Sequence, residues 1–242
     1  MQSILNVRQE LSKKVAQKLV SHSFTIISDD CWGGVFYRYL NLPYLTPTVG
    51  LWIKPADYIK YIENFDHGHQ EPLIFQTTAK DYPVATLSGV EINFMHYKSQ
   101  AEAQQKYTRR LLRVQKDRQF FKIDFGKPGY TIDDIRRWNK LKLKNSVAFY
   151  PSTMELPEEV HNGIAVSDWS PNGALMFDIT RKYFDLFQWI QSGRLEKSLL
   201  YTVFNALLFD PTAPKRIFTN LLYGQPAATR LNLTPAPARA ES

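Results

Sequence analysis

Ile4, Val7, Leu11, Val15 and Leu19 recur every three or four residues over positions 3–20, with Arg8, Glu10, Lys13, Lys14 and Lys18 between them. That period predicts an amphipathic helix with a basic outer face. The pattern then changes. Phe24 to Ser28 is an apolar run that reads as a buried strand, and it passes directly into Asp29-Asp30-Cys31-Trp32-Gly33-Gly34 and a helix ending near Leu40. A loop bounded by Pro43 and Pro47 leads to a second apolar run, Val49 to Ile53. Pro55 stands where a helix should begin, and residues 57–65 continue it.

Further along, residues 74–78, 84–87 and 90–96 have the short apolar or alternating character of strands. Ser99 and Glu102 have the spacing of a capping box and open a helix through about Val114. A strand over 119–124, a helix over 131–141 and a strand over 146–150 follow; segments 175–190 and 195–209 have helical character. Strands and helices in alternation predict an α/β fold: a three-layer sandwich about a mostly parallel or mixed sheet, with extra helices at the C-terminal end. From Gly224 the chain is rich in Ala, Pro and Thr. We therefore expect one domain over 1–223 and a disordered tail over 224–242.

Composition narrows the partners. A hydrophobic content of 44% supports a real core, and 15 Phe, 13 Tyr and 5 Trp favour deep packing or a cleft with stacking walls. The formal charge of +7 suits an anionic partner such as the phosphates of an activated donor, and serves solubility equally well. Cys31 is the single cysteine, which excludes an internal disulfide framework and a multi-cysteine metal site. No uncharged apolar run approaches the roughly 20 residues that span a bilayer, and charges interrupt the first segment where a secretion signal would be apolar. The expectation is a cytoplasmic protein, with the basic first helix offering peripheral contact to the inner membrane face or an assembly complex.

The turn at residues 28–34 is the strongest chemical signal. Ligands of open α/β sheets bind beyond the carboxyl ends of strands, where such turns lie, and a helix amino end favours an anion or a thiolate. Cys31 is thus a candidate nucleophile, although Asp29 and Asp30 would raise its pKa; a lone cysteine also serves as packing, and either aspartate could be the helix N-cap. Asp30 joins Cys31 and His96 as a catalytic candidate. His96 closes a predicted strand and faces the same rim if that strand is parallel to the first; there it could move a proton, or simply bond a carbonyl. Asp29, Trp32, Gly33 and Gly34 are candidates for substrate binding, the glycines because they admit close backbone approach by a ligand or a neighbouring strand. Arg109 and Arg113, four apart on one helix face, could clamp a donor phosphate or lie in solvent. Asp124 ends a strand as a possible base or ribose ligand. His67-Gly68-His69 lacks a third metal ligand, the Lys140–Lys144 run lacks a nucleic-acid motif, and no GxGxxG or P-loop is present. Neither a cofactor, a metal nor a nucleic-acid partner is therefore expected.

Ile26-Ile27-Ser28-Asp29-Asp30-Cys31-Trp32-Gly33-Gly34, Pro47-Thr48-Val49-Gly50-Leu51, and His96-Tyr97-Lys98-Ser99 with Glu102-Ala103 occur in that order, followed by Arg109, Arg110 and Arg113. The combination resembles a bacterial family catalogued as domain of unknown function 1919, whose members are often labelled exopolysaccharide biosynthesis proteins. The resemblance covers roughly residues 22–205. Asp29-Asp30 stand where the family usually has Asn-Asn, and Tyr107 where a tryptophan is usual. The resemblance implies an α/β fold and a place in capsule or exopolysaccharide assembly, and it supplies no catalytic mechanism. The resulting expectation is a transferase moving an acyl group from acyl-coenzyme A to a surface polysaccharide or its precursor. A glycosyltransferase using a nucleotide sugar, and a non-enzymatic adaptor of the assembly complex, are the alternatives.

Overall fold

Neighbouring residues of the strand at 119–124 belong to different cores. Phe120 packs with Ile26, Val147 and Phe149, whereas Phe121 and Ile123 pack with Ile27 and Ala148. Successive side chains of a strand point to opposite faces, so this sheet is buried on both sides, which explains why its strands read as apolar runs. The computed structural model describes residues 23–65, 71–156 and 158–196. The expected helix over 3–20, His67-Gly68-His69, nearly all of the expected 195–209 helix and the tail from Gly224 lie outside them.

In chain order the elements are β1 (Thr25–Ser28), α1 (Trp32–Tyr39), β2 (Trp52–Ile53), α2 (Pro55–Glu63), β3 (Ile74–Gln76), β4 (Val84–Leu87), β5 (Val90–Asn93), α3 (Gln100–Leu111), β6 (Gln119–Asp124), α4 (Ile132–Leu141), β7 (Ser146–Pro151), β8 (Gly163–Val166), α5 (Gly173–Thr180) and α6 (Leu186–Ser192). One sheet has the order β1-β6-β7-β8 with every pair parallel. A second has the order β2-β5-β4-β3 with every pair antiparallel. Helices α1, α5 and α6 cover one face of the parallel sheet through Trp32, Phe36, Phe177 and Trp189. The other face meets α2 and α4 through Tyr58, Ile59 and Trp138, in a cluster that also takes in Ile92 of the antiparallel sheet and Tyr107 of α3. The α/β architecture expected from the alternation is present.

The division into two sheets corrects the expectation of one. Only Ser88 and Gly89 separate β4 from β5, and both have positive φ, 49° and 73°. A two-residue loop of that kind makes a hairpin, so β5 is antiparallel to its predecessor and cannot join β1 as a parallel neighbour. The expected 175–190 helix is likewise two helices. Asp185 interrupts it by accepting hydrogen bonds from the backbone of Phe187 and Gln188, both at 2.9 Å, which starts α6 afresh. Strand β8 was not anticipated; it lies at the sheet edge with only Val166 buried, so its sequence carries little alternation.

Three local devices hold the elements that carry the site. The Tyr37 hydroxyl donates to the Phe24 carbonyl at 2.9 Å and accepts from the Ile26 amide at 3.0 Å, satisfying the free edge of β1. The Tyr58 hydroxyl shares its proton between the carbonyls of Ile27 (2.9 Å) and Lys122 (2.8 Å), tying α2 to adjacent parallel strands. Ser99 accepts from the Glu102 amide at 3.2 Å while Glu102 accepts from the Lys98 amide at 2.8 Å, so the predicted cap forms with its return bond one residue earlier.

Candidate functional site

Lys122 lies in β6, a strand with no solvent face, and its side chain is wholly buried. An ammonium group there needs partners. The strand register places Lys122 beside Ser28, and the turn after Ser28 brings both aspartates to it: Nζ is 2.9 Å from Asp29 Oδ1 and 3.0 Å from Asp30 Oδ2. Lys127 closes the cluster from the loop after β6, 3.2 Å from Asp29 Oδ2 and 2.5 Å from Asp30 Oδ2. The remaining acceptor sites are also filled. Asp29 Oδ2 takes hydrogen bonds from the Asp124 amide and the Tyr130 hydroxyl, and Asp30 Oδ1 from the Ser28 hydroxyl and the Trp32 amide. Burial pushes the Asp30 carboxyl up, but Lys122 and Lys127 outweigh it and hold the group well below the usual carboxylate range. Burial likewise opposes the charge on Lys122, and Asp29, Asp30 and Asp124 hold it above the ordinary lysine value.

Asp124 is the exception in this cluster. Its Oδ1 accepts from Trp169 Nε1 at 2.8 Å and the Gly126 amide at 3.0 Å, while the buried Oδ2 has no hydrogen-bond partner among the described residues. Burial first, with Asp29 and Asp30 adding repulsion against the pull of Lys122 and Lys127, raises its pKa to about 6. The folded chain thus binds this proton more tightly than the unfolded chain, so the stabilising term is full below about pH 4 and is lost as pH rises through about 6. The displacement corresponds to ~3 kcal/mol. Urea unfolding of Asp124→Asn should therefore show stability gaining on the parent by about that amount between pH 4 and pH 7; a constant difference would show that Asp124 does not titrate there.

Cys31 stands at the amino end of α1, half-buried, with Sγ 3.5 Å from His96 Nε2. The two residues come from different sheets. What joins them is the Pro47–Leu51 loop. Gly34 of α1 packs on Val49, whose Cγ1 would be 3.4 Å from a Cβ at that glycine. The Gly50 carbonyl accepts from the His96 amide at 3.3 Å. Gly50 has φ +70°, and a Cβ there would lie 3.2 Å from both His96 Cβ and the Tyr97 ring, so glycine is required on two counts. Arg110 locks the loop by donating to the Val49 carbonyl and to the Tyr97 hydroxyl, which itself donates to Val49 at 2.6 Å. Burial raises the Cys31 thiol above its ordinary pKa and Asp30 adds to the rise, against Lys127, Lys122 and Arg38. The resting group is a neutral thiol beside an imidazole.

The structure thus brings Asp29, Asp30, Cys31, His96 and Asp124 to one rim. His96 reaches it from a turn of the antiparallel sheet and not from the parallel strand expected. Trp32 does not form a ligand wall: it is fully buried, stacks with Phe36 at 5.9 Å and donates from Nε1 to Thr180 at 2.9 Å. Gly33 lets α1 approach β1, with a Cβ there only 3.1 Å from Ser28 Cβ, and Gly34 serves the Val49 contact. Arg109 and Arg113 are exposed, and no hydrogen bond or ion pair links them to the rim. The inward face of α3 is Ala103, Tyr107 and Arg110, spaced by four and three, which turns Arg109 to solvent. Arg113 follows the end of α3, and two residues later the Gln115 amide bonds Thr25 at the amino end of β1, the opposite edge from Asp124. Lys122, Lys127, Tyr130 and Trp169 are the site residues that sequence reasoning missed, and Arg110, noted only beside Arg109 and Arg113, is the arginine of α3 that turns inward. The signal for Lys122 was a lysine inside an otherwise buried strand, Gln-Phe-Phe-Lys-Ile-Asp.

A family model described as "Domain of unknown function (DUF1919)" matches residues 4–191. The chain belongs to the DUF1919 family. A protein of Haemophilus influenzae named "Uncharacterized protein" is 32% identical over 203 residues, which are 78% of this chain and 94% of the relative. Every member of the rim cluster, from Asp29 to Gly173, falls inside the DUF1919 span. Gly173 opens α5 against Asp30: a Cβ there would be 2.5 Å from Asp30 Oδ2, an oxygen already held by two lysines. Gly173→Ala should accordingly destabilise this DUF1919 domain by about 1–3 kcal/mol, measured by urea unfolding. No helix among the described residues is long and apolar enough to cross a membrane.

Proposed function

We propose that the chain is a transferase of bacterial exopolysaccharide or capsule assembly that moves an acyl group from acyl-coenzyme A to a hydroxyl of the polysaccharide or its precursor. The observation that carries this reading is the 3.5 Å contact between Cys31 Sγ and His96 Nε2 at a helix amino end. His96 removes the thiol proton as Cys31 attacks the donor thioester; coenzyme A leaves and takes that proton. The sugar hydroxyl then attacks the acyl-cysteine thioester, His96 accepts the hydroxyl proton, and the proton returns to the departing sulfur. Stabilising the oxygen that becomes negative would fall to first-turn amides of α1 other than that of Trp32, which Asp30 Oδ1 already holds. Asp29 and Asp30 hold the turn, because their oxygens are occupied by ammonium, amide and hydroxyl donors.

The test is intact mass after incubation with acetyl-coenzyme A and no acceptor. A single acetyl adduct should form on Cys31 and disappear when polysaccharide fragments are added, with an acetyl ester gained by the sugar. Absence of both products rejects acyl transfer. Glycosyl transfer draws support from the uncommitted oxygen of Asp124, whose pKa of about 6 would let it accept a hydroxyl proton near neutrality; turnover of a nucleotide sugar in the same mixture would select that reading instead.

A further inference from the structure

An open cleft of about 300 Å³ lies between the β3–β4 connection and the start of α3. Cys31 and His96 do not line it, but neighbours of His96 in the chain do. Lys98 forms part of its wall and is two residues after His96, a backbone separation of roughly 7 Å at most. Pro83, on the facing wall, accepts the Phe94 amide at 2.9 Å, again two residues from His96.

The chemistry of the lining excludes most ligand classes. Its only apolar surfaces are Pro83 and the half-buried Tyr82 ring, too little for a hydrophobic ligand. A polyanion fits no better. Lys80 is pinned by Asn93 Oδ1 at 2.6 Å and lies 3.4 Å from Glu91, and Asp81 adds a carboxylate, so Lys98 is the one ammonium in the lining without a described ion pair. What the walls do offer is donors and acceptors interleaved. Thr78 and Ser99 accept local amides and keep their hydroxyl protons to donate outward, Lys98 donates, and Asp81 accepts. Sugar hydroxyls both donate and accept, and the C–H face of a sugar ring packs on an aromatic. An open cleft also lets a chain of sugars pass through.

We propose that this cleft binds the acceptor saccharide and leads it to the Cys31–His96 pair; the proposal rests on the transferase reading for the identity of the acceptor. Amide shifts of the full chain are followed during titration with oligosaccharides released from the producing bacterium's own exopolysaccharide, and separately with coenzyme A and with UDP. The sugars should give saturable shifts at Thr77, Thr78, Asp81 and Lys98, and the two nucleotides should leave these amides in place. Asp81→Ala, an exposed substitution, and Tyr82→Ala should each weaken sugar binding about tenfold. Sugar shifts that fall elsewhere or fail to appear, or cleft shifts caused by coenzyme A or UDP, overturn the assignment. The reading needs no turnover, so repeating it in Cys31→Ser separates the two ideas. Sugar shifts that persist in Cys31→Ser show binding independent of the reaction. Absence of acyl transfer by the unmutated chain with sugar shifts intact rejects the transferase alone, and a Cys31 adduct without cleft shifts rejects the cleft alone.

Discussion

Lys122→Met should cost this fold about 3–5 kcal/mol, the range found when one partner of a buried charge cluster is removed. The methionine matches the stem of lysine in volume, so packing against Phe149, whose ring centroid is 5.9 Å from Nζ, is kept. What changes is charge. Asp29 and Asp30 would face each other with Lys127 alone between them, and Asp124 would lose the cation that most restrains its pKa. The loss should depend on pH in a defined direction. Asp30 has a depressed folded pKa, so its contribution is present above the ordinary carboxylate range and lost as pH falls towards the folded value. In Lys122→Met that folded value rises towards the ordinary one, so the acid loss should be smaller and end at higher pH. Adding Asp30→Asn to Lys122→Met should recover part of the stability, because the surplus carboxylate is gone. Urea unfolding of the two singles and the double forms a cycle; additive losses would show that the ion cluster is not one unit.

The cluster also explains why some of the fold was legible in the sequence and some was not. Strand Gln119–Asp124 and the starts of α1 and α2 follow from local signals: an apolar run, a Gly-Gly turn, and a proline in the first helical turn. Sheet membership is a long-range property. The Ser88-Gly89 hairpin gives a local reason for β4 and β5 to be antiparallel, yet nothing local says that β2 crosses to pair with β5, Trp52 opposite Asn93. The site divides in the same way. Cys31 and the aspartates were legible because a strand runs straight into a helix amino end, and His96 because it closes a strand. Their partners were hidden by residue type. Lysine and arginine are read as surface residues, and Lys122 and Arg110 are buried only because the aspartates and the Val49 carbonyl meet them from far along the chain. Arg109 and Arg113 drew attention by spacing alone, and spacing does not say which face of α3 looks inward.

Cys31→Ser should reduce acyl transfer by about a thousandfold or more while leaving unfolding unchanged within about 0.5 kcal/mol. The substitution is nearly isosteric, and the thiol is half-buried with one polar contact among the described residues, His96. The raised thiol pKa makes the prediction sharper. Burial and Asp30 favour the protonated sulfur, so thiolate should be scarce near neutrality and alkylation by iodoacetamide should climb only above the ordinary thiol range, near 8.5. Catalysis at neutral pH would then need His96 to take the proton during attack. His96→Ala should accordingly lower transfer at pH 7 and lose less at high pH, where hydroxide supplies the thiolate. The pair also separates covalent chemistry from positioning. If serine at 31 retains most of the rate, no acyl-cysteine lies on the path, and the rim must act through the α1 amides and His96 on a hydroxyl bound directly. In that case His96→Ala still removes activity.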